Sequence, residues 1–340
     1  MTHPHQANHG QMNDNAVEVA PDLTGHARFL ITTAARAPSL HNTQPWRFRV
    51  SPQAVELWCD PARKLKTDPL GREMLISCGA ALFGLRLAVR SLGYVPVTDL
   101  LPDPARLRLL ARVRPGQAVP ASEWDRRLLE AVPHRHTHRG PFTADPLPAG
   151  LVAGLQHDAV AEGATLALID GGLDYQRLGD LAAAAARRGN PDPLAQAEIR
   201  RWTRGPAGTA RDGVPALAFS ADRGHPAGTL PQRDFDLGRG LGQLHPGDAS
   251  PPVTAVLLTS RDSRTSWLQA GQALQRLLLH AATRWVFATL QTQPLENAVT
   301  RDLIRDWLAL PGRPQMLMQL GRAVTAPATA RREPEDLAGS

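Results

Sequence analysis

Between Pro38 and Pro45 the chain places Ser39, His41, Asn42, Thr43 and Gln44 in one short stretch. Their hydroxyls, amides and imidazole can both donate to and accept from a planar heterocycle. Pro38 ends the Ala-rich helical pattern before it, and Pro45 pushes Gln44 out of helical geometry, so the segment between them reads as an ordered turn. The same composition also suits an Asn/Ser-rich loop that caps its own backbone. A second stretch, Arg135-His136-Thr137-His138-Arg139, alternates in type. If it is extended, Arg135, Thr137 and Arg139 point the same way and offer two guanidinium forks and a hydroxyl to one dianion. A solvated basic loop after Pro133 is the competing reading.

The flanking patterns say what must position these residues. Apolar side chains recur at helical spacing over 22–37, so a helix delivers the first turn. Residues 46–50 and 55–59 read as a hairpin that holds it on a rigid edge. Asp68-Pro69 reads as a helix start, with a capping side chain and proline at the first helical position. The long helix it opens stops near Gly93, and 107–113 alternates as a half-exposed strand. Gly79, Ala81, Leu82, Leu85 and Leu87 recur at constant offset as Gly271, Ala273, Leu274, Leu277 and Leu279 in a second long helix over 266–285. Apolar segments follow each helix, 286–290 in the second copy and 107–113 in the first, which suggests an internally duplicated α+β unit. The remaining expectations are helices near 146–157, within 173–188 and over 192–202, and strands at 164–169, 253–258 and 316–320. Residues 205–252 shift to Gly, Pro and Asp, apart from an apolar 214–219, as in a lid or a disordered loop.

The stretch Ala37-Pro38-Ser39-Leu40-His41-Asn42-Thr43-Gln44-Pro45-Trp46-Arg47-Phe48 resembles the flavin-contacting segment of the nitroreductase family, in its Acg-type branch. Arg135-His136-Thr137-His138-Arg139-Gly140-Pro141-Phe142 is similar to that family's Arg-x-Ser/Thr-x-Arg-x-x-Phe phosphate segment. The resemblance spans about 22–332. It implies an α+β, nitroreductase-like fold in which one duplicated chain mimics the family's homodimer, with 22–130 and 131–332 as the two repeats. Residues 205–252 would form a lid-like insertion in the second repeat, and 1–21 and 333–340 would be tails, the first of them disordered. It also implies FMN as cofactor, one per chain. Ser39 and Asn42 would contact it, with Pro38, Leu40 and Gln44 beside them, and Arg135, His136, Thr137 and Arg139 would hold its phosphate. Arg331 and Arg332 resemble the basic pair that completes the phosphate contacts, although a mobile basic tail fits them equally. The backbone at Leu290 and Gln291, placed only by following the second long helix, would tune the ring. Trp285 stands where the first repeat has Gly93, and would either alter packing at the flavin edge or fill the core.

In 340 residues with 42% hydrophobic content there is ample material for a buried core. The net charge of +6 is carried almost wholly by dispersed arginines, Lys64 and Lys66 being the only lysines. That pattern lacks the patch a nucleic-acid binder requires. Cys59 and Cys78 form no C-x-x-C and are too few for a disulfide framework, which fits a cytoplasmic protein. The polar N-terminus is no signal peptide, and no apolar run promises a membrane span. His3, His5 and His9 belong to a tail without an ordered ligand set. His134, His136 and His138 would place a metal dication among arginines. Ser39 and His41 stand outside any Gly-x-Ser-x-Gly elbow, and Gly238 to Gly242 has the wrong spacing for a dinucleotide fingerprint.

The function expected from the resemblance is a flavoprotein in which NADPH or NADH reduces FMN, which then reduces a nitroaromatic, a quinone or a similar small-molecule acceptor. No protein acid or base is required for that, and no catalytic side chain is assigned. The alternative is a protein that sequesters FMN under its lid with little turnover. Neither nucleic acid nor membrane is expected as a partner, and a homodimer of duplicated chains stays open.

Overall fold

A computed structural model describes residues 21–169, 171–189, 192–205, 208–219, 230–242, 252–323 and 329–339. The expected N-terminal tail, with His3, His5 and His9, lies outside the described residues, as do parts of the insertion.

The chain folds as two antiparallel four-stranded sheets around a central pair of long helices. A short 3-10 turn, Leu23–His26, leads into α1 (Ala27–Ala35), and the hairpin β1 (Trp46–Val50) and β2 (Val55–Cys59) follows. Next come α2 (Arg72–Ser91), β3 (Tyr94–Leu100), β4 (Leu109–Ala118) and α3 (Glu123–Ala131). The second half runs α4 (Leu151–Ala161), β5 (Thr165–Ile169), α5 (Leu173–Gly189), α6 (Pro193–Trp202), and the small parallel pair β6 (Thr203–Arg204) and β7 (Val214–Pro215). It resumes with β8 (Val253–Thr259), α7 (Arg264–Ala282), β9 (Val286–Gln291), α8 (Gln293–Glu296), α9 (Ala298–Trp307), β10 (Arg313–Arg322) and α10 (Pro334–Leu337).

The sheet orders are β1-β2-β4-β3 and β5-β8-β10-β9. Aligning α2 with α7 matches every position, since each sheet has its second strand before the long helix and its edge strand directly after it. The duplication is therefore present in topology. It is also present at the helix crossing. A Cβ on Gly79 would overlap the carbonyl of Leu268, while a Cβ on Gly271 would overlap the carbonyl of Ile76. The same two repeat positions meet reciprocally, as in an isologous dimer interface. Both helices are largely buried, and most of their apolar residues join one core with both sheets, while Phe83, Leu87, Leu279 and Ala282 pack against α3.

Several expectations are corrected. The segment after the first long helix is β3, which contains Pro96 and pairs with β4 at the sheet edge. It, and not 107–113, corresponds to β9, while β4 corresponds to β10. The long helix begins at Arg72 after a left-handed Gly71, and Asp68 still caps it by accepting from the Met74 amide at 2.9 Å. Helices α3, α8 and α9 have no counterpart in the expected elements. Helix α2 is long and apolar enough to cross a membrane by composition, but 78% of that window is buried between the sheets. Trp285 does share a left-handed backbone with Gly93 (φ 54° and 92°), yet it is 60% exposed against His134, outside the core, and lines a surface pocket with Trp124 and His280. Residues 333–339 are docked rather than free: Leu337 is fully buried, Ala338 bridges Phe48, and the Gly339 amide donates to the Phe48 carbonyl at 2.7 Å.

Candidate functional site

A cavity with roughly 760 Å³ of open space, its mouth included, lies between the two repeats. From the first repeat it receives Pro38, Ser39, Leu40 and His41 of the fenced turn and Glu73, Ile76 and Ser77 of α2. The second contributes Thr137 and Arg139, Leu274 of α7, Met316, and residues 289–293 at the end of β9. Gln232, Arg233 and Phe235 of the insertion complete the wall.

The turn after α1 is strained, with His41, Asn42 and Gln44 at φ of 51°, 54° and 49°. Such backbone costs about 1–2 kcal/mol per non-glycine residue and persists where its surroundings over-determine it. Here they do. Ser39 Oγ accepts from the Gln44 amide at 2.9 Å, and the Asn42 and Thr43 amides donate to Ser39 and Leu40 carbonyls. Asn42 Nδ2 donates to the carbonyls of Gly213 (3.0 Å) and Ala330 (3.1 Å). Gln44 Nε2 donates to the Arg211 carbonyl at 2.7 Å, and its Oε1 accepts from the Arg332 amide at 2.8 Å. The Asn42 and Gln44 side chains thus strap the insertion and the C-terminal segment onto the turn, and neither lines the cavity.

The Arg135 segment lies beside β9, where Thr137 bridges Ala288 and the His138 amide donates to the Ala288 carbonyl at 2.9 Å. Phe142 anchors it. Its ring lies against Gly321 so closely that a Cβ there would clash. Thr137 and Arg139 face the cavity and Arg135 is buried behind them, while the His138 ring turns away onto Phe142.

Arg331 joins this cluster from the C-terminal segment. Its Nε donates to the Ala35 carbonyl at 3.0 Å, and Nη2 of Arg135 donates to the Arg36 carbonyl at 3.0 Å. The open carbonyl end of α1 therefore seats both guanidinium groups. Arg135 Nε and Nη1 are buried without a partner among the described residues. Burial, then Arg36 and Arg139, pushes the Arg135 pKa down to about 10, and burial does the same to Arg139. Arg331 is pushed well below the usual arginine range by burial and then by Arg135, Arg36 and Arg139. Burial, then Arg135, Arg331 and Arg36, holds His136 down at about 4, so it is neutral at pH 7. Among the described residues no carboxylate figures in any of those shifts. Desolvated arginines in such a cluster call for an anion with several acceptor oxygens.

The structure thus gathers Pro38, Ser39, Leu40, Thr137, Arg139, Leu290 and Gln291 on one cavity, while Arg135 and Arg331 lie outside its lining, near enough to Arg139 for its charge to act on them, and His136 lies beside them in turn. Arg332 is separated from them, its Nη2 donating to the Asp336 carbonyl at 2.7 Å. Sequence reasoning missed Arg36, whose place at the end of α1 beside the motif was the available signal. It also missed Glu73, Thr289 and Phe235, which only the tertiary fold brings to the wall. His41 Nδ1, Glu73 Oε2 and Thr289 Oγ1 are buried polar atoms without partners among the described residues. All three residues line the cavity, which is a set of donors and acceptors suited to a planar polar ring.

No family model matches the chain. It is 36% identical over 315 residues to a Mycobacterium tuberculosis H37Rv protein named "Putative NAD(P)H nitroreductase Rv3131", spanning 90% of this chain and 89% of that one. It is 31% identical over 310 residues to "Putative NAD(P)H nitroreductase acg" of the same strain, spanning 89% and 92%. Among solved structures it is similar to the FMN-dependent nitroreductase NfnB of Mycobacterium smegmatis, at TM-score 0.39 and 15% identity, covering 63% of this chain and 97% of that one. With a relative of that identity matched along nine-tenths of its length, the chain belongs to the NAD(P)H nitroreductase family, in its Acg-type branch.

Proposed function

We propose that the cavity holds one FMN per chain and that the protein is an NAD(P)H-dependent flavin oxidoreductase reducing nitroaromatics, quinones or similar acceptors. The observation that carries this reading is the arginine cluster, in which Arg139 lines a cavity built from both repeats and acts on Arg135, which keeps two buried N–H groups unpaired among the described residues. A phosphate dianion supplies the missing acceptors. Arg135, Arg139 and Arg331 would hold it, with neutral His136 and the Thr137 hydroxyl beside them. The turn at 38–41 and the end of β9 would take the ring, whose polar edge suits the unpaired atoms of His41 and Thr289. When bound, FMN supplies the redox chemistry, and the chain supplies binding, orientation and exclusion of water. Asn42 and Gln44 act by holding the turn rather than by touching the ring. We divide the chain at 130/131 into the two repeats, with 205–252 as the insertion, and assign it to the cytoplasm, which suits its two free, buried cysteines.

A titration of flavin-free protein with FMN and with riboflavin tests the reading. FMN should bind at one per chain and more tightly than riboflavin by about 100-fold, the worth of a buried charge-assisted contact. Equal affinity would remove the arginine cluster from the account.

One observation favours the sequestering reading. Phe235 of the insertion packs edge-on to His41 at 5.3 Å and lies beneath the Arg139 guanidinium at 5.5 Å, so it stands in the cavity wall. If that cover excludes a nicotinamide, anaerobic NADPH or NADH will leave the bound flavin oxidised. Bleaching within the mixing time would instead identify a working reductase.

A further inference from the structure

Glu73 is an ionisable group in the cavity for which the proposed function has no use. It stands in the first turn of α2, 4% exposed, beside Ile76 and Ser77. Its Oε1 accepts from Arg72 Nη2 at 2.9 Å, while Oε2 is buried and has no partner among the described residues. Arg72 is shared. Its Nη1 donates to the Gln315 carbonyl at 2.9 Å and its Nη2 also to the Leu295 carbonyl at 3.2 Å.

The other charges facing Glu73 come from three directions. Glu296 of α8 and Asp68 ahead of α2 both oppose a carboxylate here. Arg233 of the insertion favours one, but it is itself paired with Glu296. Burial, then Glu296 and Asp68, outweigh the opposing pull of the ion-paired Arg72 and of Arg233 and push the Glu73 carboxyl up to about 8, so at pH 7 it carries a proton. An O–H buried without an acceptor is an unmet hydrogen bond. None of the clustered arginines figures among the charges that act on Glu73. The cavity therefore carries Arg139 and, apart from it, a proton-bearing wall at Glu73.

We propose that Glu73 is a specificity-determining residue of the cavity, donating a hydrogen bond from Oε2 to a carbonyl oxygen or ring nitrogen of a ligand whose anionic group lies on the arginines. The geometry selects a ligand with a dianion at one end and a neutral acceptor at the other, and it disfavours a second negative charge beside Glu73. This rests on reading the cavity as a flavin site, so the probes are FMN and riboflavin, the latter isolating the Glu73 wall from the arginines.

Binding to flavin-free wild type, E73Q and E73A is followed by quenching of flavin fluorescence between pH 7 and 9.5. Wild-type affinity for riboflavin should fall about tenfold from pH 7 to pH 9, because only about one-tenth of the acid stays protonated one unit above its pKa. E73Q offers an amide N–H at every pH and should be flat. E73A should be flat and about five- to tenfold weaker than wild type at pH 7, the worth of one hydrogen bond. R135A should lose FMN affinity yet keep the riboflavin step. The same pH profile in wild type and E73Q, or wild-type affinity in E73A, overturns the assignment while leaving the flavin reading intact. Failure of wild type to bind either flavin at any pH overturns both.

Discussion

Among the described residues Arg135 keeps Nε and Nη1 buried without partners, while the bond from its Nη2 to the Arg36 carbonyl anchors the side chain. Removing it should therefore cost ligand rather than fold. Arg135→Ala is expected to weaken FMN by about 100-fold or more while changing riboflavin by less than about threefold, and to leave or raise the melting temperature of the flavin-free protein. Calorimetric titration and melting curves check both halves. His136 gives a pH signature of the same cluster. Its folded pKa of about 4 lies below the ordinary value of 6.5, so the unfolded chain binds the extra proton between those values. Stability of the flavin-free protein should fall as pH drops from about 6.5 toward 4, and His136→Asn should flatten that fall. An anion on the arginines reverses the field at His136, so adding FMN should move its imidazole NMR titration upward. An unmoved titration would separate His136 from the site.

At the scale of elements, next to Ile76 and Leu274 of the cavity wall, Gly79 and Gly271 let the α2 and α7 backbones touch where they cross. Neither neighbour can yield, as both are main-chain carbonyls. Gly271→Ala should cost about 3 kcal/mol or prevent folding, at the upper end of overpacking, as read by denaturant unfolding. On the proposed reading, the insertion controls access instead. Phe235→Ala should speed reduction of bound flavin by NADPH in stopped flow, and an unchanged rate would place the barrier elsewhere. Much of this was legible in the chain: the helices and hairpin around the first motif follow local periodicity, and the repeated Gly-x-Ala-Leu pattern marks the crossing helices. Edge strand β3 was hidden by Pro96 and by its exposed alternate residues Val95 and Val97. Asn42 and Gln44 read as ligand groups by type, but their partners at 211–213 and 330–332 lie far along the chain. Glu73 and Phe235 carry no local signal at all, since their roles exist only once the two repeats close on each other, whereas Arg36 was marked by its place beside the first motif.

For the whole molecule, the duplication makes one chain do what two identical subunits would otherwise do, and divergence has left its mark. The fenced turn occurs only in the first repeat and the arginine segment only in the second. A symmetric pair would carry two sites, whereas this chain brings its two half-motifs together once. The most direct measurement is the flavin content of the purified protein at saturation, from absorbance of bound FMN against protein concentration. The account predicts one FMN per chain, lost to Arg135→Ala. Two per chain, or none under any condition, would contradict it.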